Sequence, residues 1–172
     1  MKNGVNSQAS VLAGRIPDVK KDRLRYTKNK LSSTLAILAI VFDALYFISI
    51  YSSDVGRYYY TYVIGASIVY NLLFLLCAFL ASEGVKSYKL SYAVLLIAIG
   101  AMQLGRIFYI PMNAHTTEVV VGTENVIAMG DAQFTRVVIY LALSAAACIA
   151  AGVIGIIKTV TLENYKKQIN VA

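Results

Sequence analysis

Four side chains that hydrocarbon does not tolerate without partners interrupt the apolar part of this chain: Asp43, Asn71, Gln103 and Arg106. A carboxyl at bilayer depth costs at least ~2.5 kcal/mol on insertion scales, so Asp43 needs a partner or a task. Alone, it is suited to carry a proton, an ion or a polar solute. Opposite Arg106 it becomes half of an ion pair, and these are the only ionisable residues well inside the apolar runs. Counted at ~1.5 Å per residue from the lysine-rich ends, Asp43 lies ~18 Å up the first run. Asn71 sits near the middle of the second. Gln103 is just above the middle of the third, with Arg106 one turn further out. Asp43 and Arg106 differ by roughly 6 Å in depth, which an arginine stem spans. The four residues are expected to converge inside a bundle. Otherwise Arg106 snorkels outward and Asp43 bonds Asn71 or a tyrosine.

Two other groupings could make contacts. Arg57 and Arg136 fall at the outer edges of apolar runs and, with Arg106, could bind an anionic headgroup or solute. In SAAACIAAG and the residues after it, small side chains recur every four positions: Ser144, Cys148, Gly152 and, beside them, Ala147, Ala151, Gly155. Such rows let helix backbones approach closely in lipid. Both rows can serve tight packing within the bundle; alternatively one row serves the bundle and the second is left for another protein.

Other chemistry finds little support. The chain has 172 residues, of which 58% are hydrophobic, well above the soluble norm. A net charge of +7 on so apolar a chain suits anionic lipid rather than nucleic acid. Cys77 and Cys148 lie inside apolar runs and form no CxxC pair. The only histidine, His115, makes a bis-histidine haem site impossible from this chain and a histidine metal site unexpected. No GxSxG, HExxH or Walker loop occurs, so no enzyme activity and no cofactor are expected.

The elements that must position these residues are four apolar runs, at about 31–52, 58–82, 90–112 and 136–158. Each is long enough to span, and none alternates like a barrel strand. The fold class is therefore an all-α integral membrane protein, an antiparallel up-down four-helix transmembrane bundle. Steps of three and four place Ser32, Ala36, Ala39, Asp43 and Tyr46 on one face of the first helix. They place Ser67, Asn71, Phe74 and Ala78 on one face of the second, and Gly100, Gln103 and Arg106 on one face of the third. The segments at 53–57 and 82–89 read as tight turns, and Pro111 ends the third helix.

Thirteen of the sixteen lysines and arginines lie in 1–30, in 82–89 and after 157. The positive-inside rule then puts both termini in the cytoplasm. Residues 1–30 form a basic cytoplasmic tail, expected to be mobile and to lie on anionic lipid through VKKDRLRYTKNK. A second polar tail covers 161–172. Tyr58, Tyr59, Tyr60 and Tyr62, with Tyr88 and Tyr92, suit the two interfaces as an aromatic belt. The external loop 113–135 is acidic. Its Glu118–Val121 and Val126–Met129 runs flank a Gly/Asn turn, which suggests a small extracellular β-hairpin. The loop could instead dock a partner or be disordered.

These features point to a small multi-pass plasma-membrane protein. The absence of Asn-x-Ser/Thr sequons fits a prokaryotic source. It is expected to act through lipid or protein contacts, with another membrane protein or itself, as an accessory or assembly subunit. The alternative is a small carrier, dimeric if needed to enclose a path, that uses Asp43.

Overall fold

The computed structural model describes residues 19–51, 61–116, 118–121, 124–127 and 129–171. A short helix, α1 (Val19–Tyr26), precedes three membrane-length helices: α2 (Lys30–Tyr51), α3 (Thr61–Lys86) and α4 (Leu90–Tyr109). Helix α5 (Pro111–Thr116) follows, then strands β1 (Glu118–Val121) and β2 (Glu124–Ile127), and finally α6 (Asp131–Val171). Four helices are long and apolar enough to cross a membrane, which makes this a multi-pass membrane protein.

Helix α6 packs along both α2 and α4, while α3 bridges α2 and α4 from the other side and barely meets α6. The contacts run antiparallel. The Ser32 hydroxyl of α2 donates to the Ala151 carbonyl of α6. In the opposite sense, Ser144 of α6 donates to the Ala39 carbonyl at 2.9 Å. On the other flank a Cβ built on Gly152 would come within 2.7 Å of the Ala93 carbonyl oxygen of α4. Only small side chains permit this approach, because lipid supplies no hydrophobic drive to force larger ones together.

Both small-residue rows of α6 are spent here. Ser144, Ala147, Cys148, Ala151, Gly152 and Gly155 are all buried within the bundle. Of the two expectations for these rows, their burial accords with packing inside the bundle, with a helix on each side of α6, and leaves neither row facing outward.

Several boundaries also differ. Helix α3 continues through the expected turn at 82–89 to Lys86. A three-residue turn remains, closed by Tyr88 at φ 56° and a bond from the Lys89 N–H to the Gly84 carbonyl (3.2 Å). Tyr92 lies over Gly84, filling the space a side chain would take, so it serves packing as well as any interfacial belt. Pro111 does end α4 but at once opens α5, where the missing N–H is harmless. The Asn113 side chain then donates to the Tyr109 carbonyl (2.7 Å), the last of α4.

Helices intrude on both ends of the expected loop 113–135, and β1 and β2 pair antiparallel, Glu118 opposite Ile127. The tail at 161–172 is helical as far as Val171, with Leu162 and Tyr165 buried. Part of the basic tail is also ordered, because α1 packs against α6. Residues 1–18, the first turn at 53–57 and the tyrosines Tyr58, Tyr59 and Tyr60 lie outside the described residues.

The glycines give a direct test. Gly152→Ala pushes against α4 backbone and should cost about 1–3 kcal/mol. A Cβ at Gly65 of α3 meets nothing, so Gly65→Ala should instead stabilise by up to ~1 kcal/mol. Thermal denaturation of the two variants in detergent should shift in opposite directions.

Candidate functional site

Three helices bring their polar stripes to one place. Helix α2 supplies Asp43 and, one turn on, Tyr46; α3 supplies Ser67, Tyr70 and Asn71; α4 supplies Gln103 and Arg106. Arg106 begins a turn further along α4 than Gln103, but helical side chains lean toward the N-terminus, so it reaches back to the level of Asp43.

The Asp43 Oδ1 accepts from Gln103 Nε2 at 2.7 Å and from Arg106 Nη1 at 3.2 Å. The same Nη1 donates to Asn71 Oδ1 at 2.8 Å, and Nη2 donates to the Ser67 hydroxyl at 3.4 Å. The Arg106 guanidinium carbon lies 4.3 Å from the ring centre of Tyr46 and 4.8 Å from that of Tyr70. Both rings offer their electron-rich faces to the cation. Asp43 and Gln103 are wholly buried and Arg106 is only 6% exposed, so the guanidinium does not snorkel outward.

Asp43, Asn71, Gln103 and Arg106 thus form one hydrogen-bonded cluster through Arg106 and Asp43. The sequence reading left Ser67 and Tyr46 as stripe neighbours only, although each lies one turn from a cluster member on the same face. Tyr70 was missed, although it lies three residues after Ser67 and four before Phe74, at the edge of the same face. Helix α6 gives no polar side chain to the cluster and backs it with small residues. Arg136 is exposed and shares no described bond with the cluster, and Arg57 lies outside the described residues.

The cluster is not saturated. Asp43 Oδ2, Gln103 Oε1 and the Tyr46 hydroxyl are buried with no hydrogen-bond partner among the described residues. Chemically this is a charge-neutral ion pair with acceptors to spare, held rigidly by three helices. No group of three His, Cys, Asp or Glu side chains gathers anywhere among the described residues.

Arg106 also lines a cleft of about 340 Å³ between α3 and α4, with Ser67, Tyr70, Met102, Gly105 and Tyr109. A second cleft of about 310 Å³ continues along the same seam, bounded by Leu73, Phe74, Cys77, Leu95 and Ile99. Tyr70 and Met102 line both.

Comparison of the chain with protein-family models, curated proteins and solved structures found no match.

Breaking one half of a buried pair strands the other, at a cost of about 3–5 kcal/mol, whereas replacing both by apolar residues is often neutral. Arg106→Met and Asp43→Leu should each lower stability by about that amount. The double variant should recover most of the loss. Unfolding titrations of the four proteins complete the cycle.

Proposed function

We propose that this multi-pass membrane protein acts by contact within the bilayer, as an accessory or assembly subunit, with both termini and the basic tail on the cytoplasmic side. The paired β1–β2 segment would then face outward, in the plasma membrane of a prokaryote. The observation that carries this reading is the engagement of Asp43: the one carboxyl well inside the apolar runs is matched by Arg106, which also bonds Asn71, so that α2, α3 and α4 are joined. With the interior so occupied, work falls to the outer faces. Helix α3 is embraced least and exposes Val69, Leu72, Leu73, Leu76 and Phe79. Because α6 spends its small rows inside, α3 replaces it as the partner face.

The lysine distribution supports the orientation. A cleft of about 540 Å³ lined by Lys28, Lys30 and Lys158, with Tyr26 and Leu31 beside them, supports contact with anionic lipid at the cytoplasmic surface. Nothing in the cluster favours catalysis or nucleic-acid binding.

Purification from native membranes in mild detergent should bring down a stoichiometric membrane partner. Leu72→Trp with Leu76→Trp, both on the exposed α3 face, should weaken that association at least tenfold without lowering helicity. Recovery of a lone monomer from wild-type membranes overturns the subunit reading.

A carrier is the second reading, favoured by the unpartnered Oδ2 of Asp43. It requires solute or proton flux in liposomes that Asp43→Asn abolishes. Wild-type vesicles no leakier than empty ones, across a broad solute panel, remove it.

A further inference from the structure

The seam between α3 and α4 is built differently from the rest of the bundle. Along α6 small residues bring helices into backbone contact, but here two clefts run end to end, apolar except where Ser67 and Arg106 enter the first. From Arg106 to Leu95 the seam follows about three turns of α4, or ~16 Å. That is a slot for a chain with a polar group at one end.

Charge and hydrogen bonding restrict the head. Arg106 and Asp43 neutralise each other, and among the described residues no hydrogen bond joins a further Asp, Glu, Lys, Arg or His to the cluster. An anionic head would add an unmatched charge at low dielectric, a penalty of several kcal/mol, so a neutral one fits. Arg106 spends its Nη1 donors on Asp43 and Asn71 and one Nη2 donor on Ser67. Its guanidinium borders the first cleft together with the Ser67 hydroxyl, so a head that accepts hydrogen bonds suits that end. Tyr70 and Tyr109 among the lining residues suit a flat ring.

Depth restricts it further. Asp43 lies two to three residues from the middle of α2, hence ~4 Å from mid-helix. With α2 filling the hydrocarbon, the guanidinium bonded to Asp43 sits far below the edge of that layer, which is ~15 Å from its middle. The ester and phosphate groups of a bilayer phospholipid stay at that edge, roughly 10 Å too shallow. A lipid whose small head travels within the hydrocarbon layer meets the requirement.

We propose that this seam binds a neutral, carbonyl-headed isoprenoid lipid of the quinone class. Its carbonyl accepts from Arg106, beside the Ser67 hydroxyl, and its chain lies between α3 and α4 along Phe74, Cys77 and Leu95. The assignment rests on the reading that the protein works by contact in the bilayer, and it names the lipid in question.

Gly105 makes the test clean. It lines the first cleft, and a Cβ built there meets nothing within 4 Å, so a side chain can start there without a backbone clash and Gly105→Leu takes up space in the cleft. The full chain, in nanodiscs of phosphatidylglycerol and phosphatidylethanolamine, is titrated with a menaquinone bearing four isoprene units. Bound quinone is quantified after separation of free lipid. Wild type should saturate at one quinone per chain. Gly105→Leu should weaken binding at least tenfold with unchanged helicity and melting temperature, and Ser67→Ala, which also removes an acceptor from Arg106, severalfold with unchanged helicity. Squalene, a chain without a carbonyl, should not compete.

Binding that does not saturate, or that survives Gly105→Leu, overturns the proposal. So does native mass spectrometry showing a phospholipid in the seam of wild type that Gly105→Leu expels. A stoichiometric protein partner without quinone retention defeats the seam assignment alone. One quinone on a lone monomer from native membranes defeats the subunit reading alone.

Discussion

A charge carried into hydrocarbon has to meet its counter-charge before the helix bearing it can settle, and in this bundle that requirement ties together elements far apart in the chain. Asp43 and Arg106 come from α2 and α4, which are joined by no direct turn. Their pairing fixes the vertical register of these two helices, and the bond from Arg106 to Asn71 fixes α3 against both. Since the interior offers no water to take over a lost partner, a slip by one turn would strand several polar groups together. The pair thus contributes less to net stability than to the choice of a single arrangement, the use of buried polar groups best attested in register selection.

Helix α6 answers a different constraint. It must lie against both α2 and α4, and two adjacent rows of small residues let it do so. Ser32 and Ser144 each reach across to the carbonyl of the opposite helix. Individually such bonds are worth ~0.6 kcal/mol on average in membranes, so close packing carries most of the association. The bundle accordingly has a tight half around α6 and a looser half at the α3–α4 seam, where Leu, Phe and Met side chains hold the backbones apart.

Much of this was written in the residue spacing. Steps of three and four from Ser32 to Tyr46 mark the face of α2 that is buried, because a polar or small residue in a span has few reasons to face lipid. The meeting of Asp43 with Arg106 follows from depth and the reach of an arginine. What spacing could not show was direction and competition. Nothing in the run from Ser144 to Gly155 says whether its second row meets a bundle helix or a stranger, because both demand the same small side chains. Tyr70 lay within the same steps, between Ser67 and Phe74, but nothing in its type marked it as a partner for Arg106. The helical tail to Val171 was hidden by its polar composition, which suits an exposed helix as well as a coil.

That last helix has 41 residues and, at ~1.5 Å each, is roughly 60 Å long, about twice the hydrocarbon thickness. The part beyond Lys158 extends for about 20 Å as a rigid arm, with α1 packed against the same helix. A tilt of α6 by about 10°, well within the range seen for membrane helices, would swing the end of that arm by ~3 Å relative to its root. For so long a helix, any tilt among the spans moves the far end of the arm further than its root.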